Sequence, residues 1–210
     1  MSTYHKIQSI YKRDPATKFR TLLLNDYSTS AIDYLAKNHW VFTEKVDGTN
    51  IRVMIDKGGR ITFGGRTDAA QIPADLFTRL TDIFWTQAKA LNEQFPGGVT
   101  LYGEGYGAKI QKGGGNYRPD QDFVLFDIKV DDWWLERENI EGIAKLFDLD
   151  TVPIIGAGNL DFMTHMVREG FNSQWGDFQA EGIVARPMVE LRDRNGHRII
   201  TKLKTKDFDG

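Results

Sequence analysis

Cysteine is absent from the 210 residues, which excludes disulfides and thiolate metal sites and suits a reducing compartment such as the cytoplasm. Histidine is scarce, at four scattered positions, so a zinc site is not expected. A bound metal would be a hard cation held by oxygen, magnesium or manganese. No apolar run approaches the ~18 residues that read as a transmembrane helix. The opening 14 residues lack an apolar stretch of signal-peptide type. Strong net charge is missing as well, at −2. What remains is a chain 40% hydrophobic and 12% aromatic, enough to bury a full core and too apolar for disorder. The length suits one domain over 1–210.

The near-neutral total hides an uneven distribution. Residues 1–20 sum to +4 and residues 192–206 to +5, leaving −11 for the rest. Two basic segments on an acidic body either form a phosphate-binding face or lie as separate solvated surfaces.

Patterning predicts strands interleaved with a few helices. Val41 to Glu44 reads as a strand entering a turn at Asp47-Gly48, followed by a hairpin of 50–56 and 60–63 around Lys57-Gly58-Gly59. Residues 74–95 carry Leu76, Phe77, Leu80, Ile83, Phe84 and Leu91 at helical spacing, opened by Pro73 and closed by Pro96-Gly97-Gly98. Residues 99–103 and 123–130 read as buried strands, and 134–147 and 160–169 as helices. Long strands over 182–192 and 197–204 meet at Asn195-Gly196, suited to a type I′ turn. The mixture is α+β with largely antiparallel sheets.

Three local patterns bear on chemistry. In Lys45-Val46-Asp47-Gly48-Thr49-Asn50 a lysine ends an apolar strand beside a tight turn. An amine with a reference pKa of about 10.4 is a nucleophile only where its surroundings free it from its proton; the same tetrapeptide also occurs as an ordinary strand end. In Ile200-Thr201-Lys202-Leu203-Lys204, alternation puts Lys202 and Lys204 on one face. An anion such as phosphate would relieve their repulsion, although lysines also guard exposed edge strands. Glu104 in Tyr102-Gly103-Glu104-Gly105 and Glu181 in Ala180-Glu181-Gly182 are isolated carboxylates whose flanking glycines admit a close ligand. Each could equally pair with an arginine. Phe126 reads first as a core aromatic.

Taken in order, Lys45-Val46-Asp47-Gly48, Gly65-Arg66-Thr67, Tyr102-Gly103-Glu104-Gly105, Val124-Leu125-Phe126-Asp127-Ile128, Glu181-Gly182-Ile183-Val184 and Lys202-Leu203-Lys204 resemble the motif series of covalent nucleotidyltransferases, the ATP-dependent ligases and mRNA capping enzymes. The match runs from about residue 41 to 206 and is most similar to bacteriophage RNA ligases of the second class, because Asn50 closes Lys-x-Asp-Gly-Thr-Asn where DNA ligases usually carry arginine.

The resemblance implies a nucleotidyltransferase fold, ATP-grasp-like, with antiparallel sheets flanked by helices. It also implies an ATP-dependent ligase joining 3′-hydroxyl and 5′-phosphate ends, of RNA ahead of DNA, through AMP carried covalently on Lys45. Lys202 and Lys204 would hold phosphate during catalysis, and Glu181 would support the metal. Arg66 and Glu104 would bind the ribose or the adjoining strand end, Phe126 would stack on adenine, and Asn50 with the backbone near Glu44 completes the nucleotide set. Arg52 lies nearby, and the resemblance gives it no role. Many such ligases continue into a further nucleic-acid-clamping domain. None is expected within these 210 residues, so Lys109, Lys112 and Arg118, in a glycine-rich stretch with Tyr117, become candidates to grip the strand, or else form a plain surface loop. The implied setting is a monomer active in RNA repair, in host cytoplasm if phage-encoded. Alternatives are a minimal or mixed-end DNA ligase, a capping guanylyltransferase, and a non-catalytic nucleic-acid-binding module.

Overall fold

The computed structural model describes residues 3–208. In chain order the elements are β1 Gln8–Ser9, β2 Tyr11–Arg13, β3 Leu22–Tyr27, α1 Ser30–Leu35, β4 Trp40–Glu44, β5 Thr49–Ile55 and β6 Ile61–Gly64. Then come α2 Ala74–Trp85, α3 Ala88–Gln94, β7 Val99–Gly107, β8 Gln121–Val130, β9 Trp133–Trp134 and α4 Arg137–Leu146. The chain closes with β10 Ile154–Gly158, α5 Leu160–Glu169, β11 Gly182–Pro187 and β12 Thr201–Lys204. Contacts divide it into two compact units. One comprises Lys6–Val46 with Pro153–Gly210, and the other Met1–His5 with Asp47–Val152. Among the described residues no helix is long and apolar enough to cross a membrane.

The first unit, here the lysine unit, is built on a sheet of order β1-β12-β11-β4-β10. All its pairs are antiparallel except β1 with β12. Alternation sends Trp40 and Phe42, Ile183 and Ala185, and Leu203 into a core with Leu160, Met163 and Val167 of α5. Val41, Thr43, Val184, Lys202 and Lys204 take the opposite face. Asn159 caps α5, its side chain accepting from the Phe162 N–H. β12 lies between two strands, so its lysines do not guard an edge.

The second unit is an antiparallel sheet of order β6-β5-β7-β8-β9. Ile51, Val53, Ile55, Leu101, Leu125 and Ile128 form its core with Leu76, Leu80, Phe84, Leu91, Ile140 and Ala144 of the helices. The glycines around Glu104 answer to this core. A Cβ on Gly103 would sit 2.3 Å from the Phe123 ring, and one on Gly105 would sit 2.3 Å from Leu76. They admit core side chains, where the sequence suggested they admit a ligand.

Several sequence expectations are corrected. The helix expected over 74–95 breaks at Thr86-Gln87 into α2 and α3, and Phe77 lies 47% exposed, off the buried stripe. The helix expected from 134 starts at Arg137, because Trp133–Trp134 pairs with β8. The strands around Asn195-Gly196 are shorter, Gly182–Pro187 and Thr201–Lys204. Of that dipeptide Gly196 takes positive φ, at 81°, and Asn195 does not. A type I′ turn needs both. Asp193 makes the turn instead, its carboxylate accepting the N–H groups of Asn195 and His197.

Candidate active site

Lys45 follows directly on β4, and its N–H extends the ladder by donating to the Gly182 carbonyl at 2.9 Å. Lys45 Nζ donates to Glu181 Oε2 at 2.6 Å, while Lys204 Nζ approaches Glu181 Oε1 at 2.5 Å. One carboxylate therefore sits between two ammonium groups. The side chains of Lys45, Glu181 and Lys204 keep 19%, 11% and 23% of their exposure. They are shielded enough to interact strongly and open enough to meet a ligand.

Backbone geometry enforces this triad. Gly182 stands opposite Lys204 in the β11–β12 register, with φ 153°, and a Cβ there would lie 2.1 Å from the Leu203 carbonyl oxygen. Only glycine lets the strands close enough to seat Glu181 beside Lys204. Thr205 fixes the strand end, its N–H donating to the Glu181 carbonyl and its hydroxyl to the Ala180 carbonyl. The Asp207 carboxylate accepts the Lys204 N–H at 3.1 Å and pairs with Arg13 at 2.6 Å.

Lys202 lies opposite Val184, and alternation along β11 puts Arg186 on this same face. The face thus carries Lys45, Lys202, Lys204 and Arg186 with Glu181 among them. Arg186 went unnoticed in the sequence, although the alternation of Gly182–Pro187 already assigned it there.

Glu44 belongs to the other parity of β4 and turns inward, 1% exposed. Its Oε1 accepts from the Ser173 hydroxyl at 2.6 Å and its Oε2 from the Gln174 N–H at 2.8 Å. Burial raises its pKa above the ordinary carboxylate range, against the pull of those two hydrogen bonds. The carboxylate ties down the loop after α5.

In the second unit Asn50 stands opposite Glu104, and Arg52 opposite Tyr102. They share the sheet face that points away from the helices. β8 carries a bulge there. Tyr102 faces Asp127 and Gly103 faces Leu125, so Phe126 is the extra residue. A bulge re-aims its side chain, and Phe126 is half-buried. The Tyr4 ring meets it edge-on at 5.1 Å, and the Tyr4 hydroxyl donates to the buried Asp127 carboxylate at 2.5 Å. Arg66 is exposed on the loop after β6.

The turn after the lysine is held by the 108–120 loop. The Tyr117 hydroxyl accepts the Asp47 N–H at 3.1 Å, and the Gln111 side chain donates to the Gly48 carbonyl at 2.9 Å. Gly48 is glycine because a Cβ would lie 2.2 Å from the Gly105 carbonyl oxygen. In the same loop Lys109 and Lys112 are exposed. Arg118 is engaged by Asp120 and Asp122, and the bond to Asp120 is the chief reason its pKa is raised.

The RNA ligase family model matches residues 38–204. The chain belongs to the RNA ligase family. Solved structures of Naegleria gruberi RNA ligase share the fold. A lysine-to-alanine mutant with ATP and manganese superposes with a TM-score of 0.63 at 18% identity, covering 97% of this chain and 56% of that one. An arginine-to-alanine mutant, also with ATP and manganese, gives 0.65 at 18%, with the same coverage. The form with pyrophosphate gives 0.61 at 18%, again covering 97% and 56%. The chain thus spans little more than half the length of these ligases.

Of the residues expected from the family resemblance, the structure brings together Lys45, Glu181 and Lys204, with Lys202 on the same face. Asn50 and Glu104 are brought together as a cross-strand pair. Phe126 stands at its bulge and Arg66 on its loop. Glu44 turns its carboxylate away from the lysine face, and its backbone N–H donates to the Pro153 carbonyl at 3.0 Å. Gln111 and Tyr4 were missed, and so was the contact of Tyr117 with Asp47, since nothing in their local sequence signals partners so distant along the chain.

Proposed function

We propose that this chain is an ATP-dependent RNA ligase that works through AMP on Lys45. The observation that carries the reading is Glu181 held between Lys45 and Lys204, a lysine nucleophile and a phosphate-binding lysine organised by one carboxylate. Membership of the RNA ligase family supports it, as do the ATP and manganese present in the Naegleria structures.

In the first step Lys45 Nζ attacks the α-phosphorus. A P–N bond forms, the bond to the β-phosphate oxygen breaks, pyrophosphate leaves, and Nζ gives up a proton. In the second, a 5′-phosphate oxygen of an RNA end takes the AMP and the P–N bond breaks. In the third, a 3′-hydroxyl attacks that 5′-phosphorus and AMP leaves. Lys202 and Lys204 neutralise phosphate charge as it shifts in each transition state. Phe126 stacks on adenine, Arg66 and Glu104 bind ribose or the adjoining strand end, and Asn50 and the backbone near Glu44 complete the nucleotide contacts.

Among the described residues no group of three or more carboxylates and histidines could cage a metal. A single carboxylate, Glu181, suits a magnesium or manganese ion that keeps its waters and takes further oxygens from phosphates. Such an ion, when bound, supplies positive charge at those phosphates. Lys109 and Lys112 contact the RNA strand, with Arg118 shaping their loop. We assign the protein to RNA repair, acting as a monomer in the cytoplasm, that of the host if a bacteriophage encodes it. The cysteine-free composition supports that compartment.

The test is incubation with magnesium and α-labelled ATP or GTP after pyrophosphate stripping. Label from ATP should survive denaturation and be absent in Lys45→Ala. The labelled protein should then seal nicked RNA. Label from GTP alone would indicate capping, sealing of DNA in preference to RNA would indicate a DNA ligase, and no label would leave a binding module.

A further inference from the structure

Arg52 lies in the middle of β5, 1% exposed, among the largest fully buried side chains of the protein. Its neighbours Ile51 and Val53 face the helices, so it takes the other face with Asn50. Placing a guanidinium there costs desolvation that an aliphatic side chain would avoid. Its hydrogen bonds show what it holds. Nε donates to the Gly65 carbonyl at 2.8 Å and Nη2 to Asp68 Oδ1 at 2.7 Å. Both acceptors belong to the loop after β6, and they bracket Arg66 and Thr67.

The surrounding sequence is fitted to this contact. Gly64 pairs with Arg52 across β5 and β6, and a Cβ on Gly64 would crowd Nη2 at 3.0 Å. A Cβ on Gly65 would lie 2.7 Å from that of Ala70. The Ala70 N–H donates to the Thr67 carbonyl at 3.1 Å, closing a tight turn that contains the outer anchor, Asp68. An ion pair to Asp68, whose side chain is 89% exposed, contributes little stability of its own. The rigid two-point fork instead fixes a loop conformation, which a lysine could not do.

We propose that Arg52 is a positioning residue that sets the backbone of Arg66 for its contact with ribose or the RNA end. The proposal rests on the ligand role given above to Arg66. Arg52 touches the loop and not the ligand, so its effect passes through Arg66 and should be non-additive with it.

The test uses the full chain with Arg52→Ala, Arg66→Ala and the double variant. Two rates are measured across substrate concentrations: Lys45–AMP formation, and sealing of an RNA nick already carrying 5′-AMP. Both single variants should lose at least tenfold in the same step, and the double variant should match Arg66→Ala within about twofold. Amide hydrogen exchange at 66–70 should rise in Arg52→Ala. Should that variant fold poorly, Asp68→Ala removes the outer anchor from the exposed side and should slow the same step with an unchanged melting temperature. Multiplying losses in the double variant, unchanged exchange, or full activity of Arg66→Ala would each overturn the proposal. Absence of any Lys45 adduct in the unmodified protein would instead sink the ligase reading itself.

Discussion

Lys45 and Lys204 share one carboxylate. Glu181 turns Oε2 to the first at 2.6 Å and Oε1 to the second at 2.5 Å, across a chain separation that only the β11–β12 hairpin and the strand β4 beside it can bridge. Two like charges are thereby held close by one carboxylate.

Glu181→Ala should accordingly slow adduct formation at least 100-fold, because the lysines lose their common partner. Its melting temperature should fall only modestly, since hydrogen bonds to charged groups contribute roughly 1.5–3 kcal/mol each and these are partly exposed. Label incorporation and calorimetry on the same preparation separate the two effects. A variant that melts normally and labels at the normal rate would remove Glu181 from the site.

Burial raises the Glu44 pKa above its ordinary 4.5. The folded protein therefore binds this proton more tightly than the unfolded chain does. The stabilisation is full below the unfolded value and is lost as pH rises through the folded one. Glu44→Gln has no such titration, so the melting temperature of the native protein relative to this variant should decline as pH climbs above 4.5. Glu44→Ala should cost about 1–3 kcal/mol at neutral pH by leaving the Gln174 N–H and Ser173 hydroxyl without their acceptor. Scanning calorimetry from pH 4 upward checks both.

The contrast between these carboxylates shows what the sequence could disclose. Alternation along Thr201–Lys204 correctly put both lysines on one face, and β4, β5 and β7 began within a residue of where patterning set them. Strand parity also decides Glu44, but its partners lie some 130 positions away, at Ser173 and Gln174, where no local pattern marks them. The bulge at Phe126 depends on how β7 and β8 register. The break at Thr86-Gln87 came where helical spacing alone offered no stop signal. The parallel β1–β12 pair joins two segments too short and too distant to be foreseen.

Gly182→Ala should be among the most damaging single changes. It forces a Cβ against the Leu203 carbonyl at a φ of 153°, and strain with overpacking amounts to about 2–4 kcal/mol. That is a drop of roughly 4–16 °C for a chain of this size. Adduct formation should fall with it, as Glu181 moves off Lys204. An unchanged melting temperature would show that the strands can part without cost.

Lys109→Ala with Lys112→Ala should leave Lys45–AMP formation intact, weaken sealing of RNA ends and flatten its salt dependence by up to two phosphate contacts. Arg118→Ala should act differently, loosening the loop that Asp120 and Asp122 brace and disturbing the Tyr117–Asp47 contact. Rates of the two steps at several ionic strengths distinguish these outcomes. Equal salt slopes in all variants would detach the loop from RNA.

β4, the strand just before Lys45, finds both of its sheet neighbours late. β4 ends at Glu44, yet it pairs with β10 and β11, and β1 waits for β12. A chain emerging from the ribosome therefore presents Lys45 with neither Glu181 nor Lys204 to meet it until β11 and β12 have followed. The second unit, whose strands all fall between residues 49 and 134, can assemble meanwhile from contacts local in sequence. On the function proposed above, a chain stalled before residue 201 carries Lys45 without Lys202 or Lys204 and should form no AMP adduct.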